Sequence, residues 1–294
     1  MKLGIATPIL TRTSEGPRWL ATGTIEDVAT VVGAADRLGF AFCTCSEHVG
    51  IPEHEIGRRG SAYWDPLSTF GFLAARTTTI QFVTWVLVLA YHHPLELAKR
   101  YGQLDLISNE RLVLGVGVGT LREEFDMLGA PFDDRGARAD DAIRALRATW
   151  GRRVPAYHGS HYEIGGLVIE PHAARTDVPV WIGGRTRRSL RRAIELGDGW
   201  SPFAVSFDDV ATMLEWGRAR PEWERRDRPF DVMLSAAVDP LGDADRMERV
   251  LERARNAGLT HLAVALAAES PNHYVEQLEA LANHRDERNA STRS

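Results

Sequence analysis

With 294 residues, 44% of them hydrophobic and 26% charged, the chain has the makeup of an ordinary soluble globular protein with room for a large core. Its 35 basic and 40 acidic side chains leave a net charge of -5, which gives no general attraction to nucleic acid or anionic membrane and argues against both as partners. The chain enters a strand almost at once with MKLGIATP, has no long apolar leader, and nowhere runs about twenty apolar residues together, so a cytoplasmic location is expected.

In chain order, residues 2–7 read as a strand, followed by a long loop with Gly16, Pro17 and Gly23 and a helix over 25–38 that Gly39 ends. Residues 40–46 form a second strand. Within it Cys43 and Cys45 share a face, a spacing unsuited to a mutual disulfide or to a C-x-x-C zinc site, so buried inert thiols are expected. A polar excursion over 47–64 precedes a helix from Pro66 to residue 75, a strand over 80–89, a helix over 94–107 and a strand over 111–117. The acidic pair Glu123 and Glu124 opens a helical region that continues over 133–150. Residues 152–177 break the rhythm with Pro155, Gly159, Gly165, Gly166 and Pro171 around the β-prone pieces HYEI and LVIE, which reads as a hairpin insertion. Alternation then resumes with strands at 178–182, 199–203, 230–238 and 261–266, and helices at 186–196, 207–218, 243–257 and 272–284. The segment 285–294 reads as a polar, disordered tail.

Eight strands alternating with helices predict an α/β fold of the TIM (β/α)8 type over 1–284, with a doubly wound sheet as the alternative. In a barrel, function lies on the loops after the strands. Those are Thr7, Glu47 with His48, 88–92, 117–121, 183–186 and 201–203. Neither lysine is placed for a Schiff base, since Lys2 is at the wrong end of its strand and Lys99 lies in a helix. The first strand ends in Ala6, Thr7 and Pro8 rather than the H-x-H of a metal-dependent hydrolase. The pairs His92/His93 and His158/His161, and the group Glu53, His54 and Glu55, read as loop or surface residues rather than ligands, so no metal is expected.

Three features carry chemistry. The first is ERLVLGVGVGTLREEFDMLG at 110–129, where Gly115, Gly117 and Gly119 interrupt a buried strand. The glycines fit either a crowded barrel interior or close approach of a ligand. They do not make a dinucleotide fingerprint, because Thr120 stands where its third glycine would fall, and no P-loop follows. The second is His48, which ends a buried strand beside Glu47 and suits either proton handling or a structural role. The third is VWIGG at 180–184, where two glycines lead into RTRRSLRR and a helix start that fits an anion. Arg185, Arg187, Arg188, Arg191 and Arg192 add positive charge there, some of them on a solvated face. Together these features suggest a phosphorylated cofactor across the barrel top.

Ordered pieces spanning most of the chain resemble the luciferase-like flavin and deazaflavin oxidoreductases, and more closely the branch using coenzyme F-420. They are GFAFCTCSEH at 39–48, DPLSTFGFLAARTTTIQFVTWVLV at 65–88, HPLELAKRYGQLDLISNERLVLGVGVG at 93–119, VPVWIGG at 178–184 and GDGW at 197–200. The resemblance implies a TIM barrel with an insertion. It makes His48 the active-site histidine facing the hydride-carrying ring, places Gly117, Val118, Gly119 and Thr120 along the cofactor, and puts Gly183 and Gly184 at its phosphate, where the residue reading adds Arg185. It further implies a non-proline cis peptide backing the ring, here between Trp85 and Val86, although Trp85 is bulkier than the residue common there. Because Thr120 replaces the acid of the sugar-phosphate dehydrogenase branch, no sugar phosphate substrate is implied. The resulting expectation is a homodimeric oxidoreductase transferring hydride between F-420 and a small organic substrate. An FMN-dependent monooxygenase and a non-catalytic ligand-binding member are the alternatives.

Overall fold

The computed structural model describes residues 1–12 and 17–291, so the predicted loop around Gly16 and the end of the predicted tail, 292–294, lie outside the described residues. Eight parallel strands close into a barrel. They are β1 (Lys2–Ile5), β2 (Phe42–Cys45), β3 (Gln81–Thr84, resumed as Leu87–Val88), β4 (Leu112–Gly117), β5 (Val180–Gly183), β6 (Gly199–Ser201), β7 (Asp231–Val238) and β8 (His261–Leu266). Each pairs with the next, Val180 opposite Leu114 joining β5 to β4 and Lys2 opposite His261 closing β1 on β8. The TIM barrel predicted from strand–helix alternation is the architecture observed.

The period of two sorts the strand residues. Ile5, Cys43, Cys45, Phe82, Leu114 and Ile182 face outward into the core shared with the helices. Phe42, Val83, Val113, Trp181, Met233 and Ala263 fill the barrel interior. Gly4 is required by this filling, since a Cβ there would lie 2.4 Å from the Phe42 ring. Both thiols are free and fully buried, and burial pushes each well above its ordinary pKa, which makes them inert.

Helix ends follow their sequence signals. Thr24 and Asp27 form a capping box before Ile25–Arg37, Pro94 opens Pro94–Ile107, and Ser206 with Asp209 caps Phe207–Arg218. The insertion forms a hairpin of Tyr157–His158 with Glu163–Ile164. It is anchored by the buried carboxylate of Asp141, which accepts from Tyr157 Oη (2.5 Å) and the amides of His161 (2.7 Å) and Tyr162 (3.0 Å). The predicted strand piece LVIE is not a strand; Leu167 and Val168 are more than half exposed, and among the described residues it pairs with no strand. The tail also departs from expectation. The last helix runs Pro271–Ser291, through residues 285–291, and Arg285 donates back to the carbonyls of Leu38 (2.9 Å) and Gly39 (3.2 Å).

At the lower end of the barrel His261, 2% exposed, packs between the Phe42 and Trp181 rings. Burial, reinforced by the positive charges of Lys2 and the N-terminus, pushes its pKa down to about 3. Asp231 lies 3.5 Å from its Nδ1, but burial raises that carboxyl's own pKa and weakens its support for a charged ring. Below the ordinary histidine pKa of about 6.5 the unfolded chain takes a proton that the folded chain refuses, so stability falls as pH falls towards 3. Between pH 7.5 and 4.5, His261 should remove about 2 to 3 kcal/mol. Urea unfolding of wild type and His261→Asn at the two pH values checks this; equal losses in both would contradict it.

Candidate active site

The loops after β2, β3, β4 and β5 meet at one end of the barrel. Where β2 ends it is stitched to β3 by Trp85 N–H to Cys45 O (2.7 Å), Ser46 Oγ–H to Trp85 O (2.7 Å) and Glu47 N–H to Val86 O (3.3 Å). The Trp85–Val86 peptide between the two pieces of β3 is cis, as the resemblance implied. The Trp85 side chain reaches across the barrel, packs against the interior cluster, and donates its Nε1–H to Ser201 O (3.2 Å).

The glycines of β4 and β5 have immediate steric reasons. A Cβ on Gly115 would fall 1.9 Å from Thr84 O; on Gly117, 2.7 Å from Val86 Cγ2; and on Gly183, 2.6 Å from Val86 Cγ1. The Val86 isopropyl therefore sits in the space that the buried Gly117 and Gly183 leave open, and the partly exposed Trp85 and Val86 form a shelf packed on them. Beyond it Val118 and Gly119 are partly buried and Thr120 is exposed. Gly119 has φ +75°, and its carbonyl accepts from Arg135 Nε (3.1 Å), which fixes the turn.

His48 stands beside this shelf, its ring edge-on to Tyr63 with centroids 4.5 Å apart. Its carboxylate partner is not the adjacent Glu47. Glu47 instead accepts from Val88 N–H (2.7 Å) and pairs with His92 Nε2 (2.7 Å), so His92, read from sequence as a loop or surface residue, is a largely buried brace of the β3 bulge. The partner of His48 is Glu124, whose side chain is 3% exposed and whose Oε2 lies 2.9 Å from Nδ1. Glu124 Oε2 also accepts from Tyr91 Oη (2.8 Å), while Oε1 accepts the amides of Val49 (2.5 Å) and Gly50 (3.3 Å). Burial alone would raise the carboxyl's pKa, but hydrogen bonds from His48, Tyr91 and the Val49 amide outweigh it and hold Glu124 below the ordinary range. Burial and the same carboxylate push the Tyr91 phenol up.

Glu124 is the site residue that sequence reasoning missed. Two acids in a helix's first turn read as complements to its dipole, and only Glu123 conforms, being exposed beside His54. The burial of its neighbour Phe125 marks the inward face that Glu124 shares.

At the β5 end Gly184 has φ +110° and its carbonyl accepts from Trp200 Nε1 (2.9 Å). Thr186 and Ser189 form a capping box at the start of Arg187–Leu196, leaving the amides of Arg187 and Arg188 without intrahelical partners. The positive field is smaller than the sequence suggested. Arg192 is buried against Asp140, Arg191 lies 3.7 Å from Glu195, and Arg187 stacks over Trp216. Arg185, exposed and 6.0 Å from the Phe203 ring centroid, and Arg188 remain available. Among the described residues no three His, Cys, Asp or Glu side chains could hold a metal, and no helix is long and apolar enough to cross a membrane.

A closed parallel barrel with a partly exposed imidazole paired to a buried carboxylate, and an anion-compatible helix start, at the C-terminal ends of its strands defines a TIM barrel with an enzyme-like site. The chain belongs to the luciferase-like monooxygenase family, whose model matches residues 1–293. It is 30% identical over 201 residues to an uncharacterized protein of Mycobacterium tuberculosis, covering 67% of this chain and 68% of that one. A putative coenzyme F-420-dependent oxidoreductase of the same organism is 28% identical over 225 residues, 71% of this chain and 61% of its own. An F-420-dependent secondary alcohol dehydrogenase, solved with an F-420–acetone adduct, superimposes with a TM-score of 0.77 at 14% identity, over 95% of this chain and 97% of its own; at that identity the likeness is one of fold.

Proposed function

We propose that this protein is an oxidoreductase that binds coenzyme F-420 on the shelf of Trp85, Val86, Gly117 and Gly183 and exchanges hydride with a small organic substrate. The observation that carries the reading is the His48–Glu124 pair beside that shelf. Hydride transfer to or from a carbonyl or alcohol carbon requires a group that accepts or supplies a proton, and an imidazole anchored by a buried carboxylate is suited to it. The shelf suits a flat ring, since the partly exposed groups it presents are the side chains of Trp85 and Val86, with Val86 seated on the glycines of β4 and β5. Val118, Gly119 and Thr120 would run along the cofactor, and Gly183, Gly184 and Arg185 would hold its anionic end with the amides that open the following helix. Bound there, F-420 would supply hydride exchange. The chain would orient it, hold its anionic tail and exclude water, and His48 would carry the proton. A homodimer belongs to the same reading, by family likeness alone.

The relative named as F-420-dependent supports this choice of cofactor. The second reading is an FMN-dependent monooxygenase, which the description of the matched family favours. Turnover without oxygen separates them. The F-420 reading predicts substrate-dependent change in the cofactor's absorbance under strictly anaerobic conditions. Turnover that needs both FMN and oxygen would replace it.

A further inference from the structure

The four donors around Glu124 divide by oxygen, and the division has a chemical consequence for His48. Oε1 faces two backbone amides, Val49 N–H and Gly50 N–H, which can only donate. Oε2 faces Tyr91 Oη and His48 Nδ1. With the carboxyl held below its ordinary pKa, Glu124 is ionised near neutrality and can only accept. The nitrogen 2.9 Å from it must therefore carry the proton. Nε2 makes no hydrogen bond among the described residues.

We infer that Glu124 is the positioning residue that fixes His48 in its Nδ1–H tautomer, so that the neutral ring offers the bare Nε2 to the substrate as a proton acceptor. The inference rests on the proposed role of His48, yet it concerns a property of the protein alone. The backbone amides of the β2 loop make it specific. In Glu124→Gln the side-chain oxygen is the only group that can accept from Val49 N–H and Gly50 N–H, because turning the amide NH2 towards them would set donor against donor. The NH2 then faces His48, donates to Nδ1, and drives the proton to Nε2. An isosteric change that alters no volume thus reverses the ring and converts the substrate-facing nitrogen from acceptor to donor.

The test is nitrogen NMR of the full-length apo-protein with ring-labelled histidine, at a pH where the ring is neutral, with the His48 signals assigned by their loss in His48→Ala. Wild type should show a protonated Nδ1 and a bare Nε2, Glu124→Gln the reverse, and Tyr91→Phe the wild-type pattern. A wild-type ring protonated at Nε2 would overturn the inference whether or not any variant folds. A folded Glu124→Gln with an unchanged ring, or reversal by Tyr91→Phe, would also overturn it, the latter by moving the control to the phenol. Absence of cofactor binding with the predicted tautomer would instead overturn the proposed function and leave the Glu124 assignment intact.

Discussion

Replacing His48 with alanine is expected to lower turnover by roughly a hundredfold or more, with cofactor affinity and folding largely retained. The fold should tolerate the change because His48 is one of four donors to Glu124. The amides of Val49 and Gly50 and the Tyr91 hydroxyl still donate to the carboxylate after the imidazole is gone. His48 lies at the mouth with its side chain 18% exposed, so its removal opens no sealed cavity. Steady-state kinetics with a cofactor titration of the same preparation checks this. Unchanged turnover would remove His48 from the chemistry and return it to a structural role.

Gly115→Ala is expected to act through the scaffold and to affect stability and binding together. The added Cβ would lie 1.9 Å from the carbonyl oxygen of Thr84, and both atoms are fixed by backbone held in the barrel. Thr84 is itself tied to β4 through its Oγ1–H to Gly115 O (2.7 Å). No flexible side chain can yield, so β3 must move immediately before Trp85 and Val86. Overpacking of this kind costs about 3 kcal/mol, the upper end of the usual range, and displaces the shelf on which the ring is proposed to lie. Denaturant unfolding within about 1 kcal/mol of wild type, with cofactor binding retained, would contradict the account; changes of that size are common for surface sites.

Much of the barrel was legible because local and global signals agree. The helices Pro94–Ile107 and Phe207–Arg218 begin and end where the sequence reading placed them, each opened by a proline or a capping serine. The strand His261–Leu266 is a short apolar run between turn residues. The tail was misread because composition alone cannot distinguish a solvated helix from a disordered end, and the anchoring of Arg285 on Leu38 and Gly39 is a contact across nearly the whole chain. LVIE was misread because β-branched residues pair only where a neighbouring strand is offered.

The site was legible in its positions and not in its pairings. His48 and the glycines of β4 and β5 could be picked out from where strands end. That Glu47 belongs to His92, and His48 to Glu124, depends on side-chain directions set by the β3 bulge and the helix after β4. Those pairs are separated by 45 and 76 residues. The arginine cluster shows the same limit, since periodicity brings five guanidinium groups near one helix start while packing turns Arg187, Arg191 and Arg192 towards partners of their own.

The central claim is tested most directly by titrating the purified apo-protein with coenzyme F-420 and, separately, with FMN, following cofactor fluorescence. The account predicts saturable binding of F-420 in preference to FMN. Preference for FMN, or binding of neither, would contradict it.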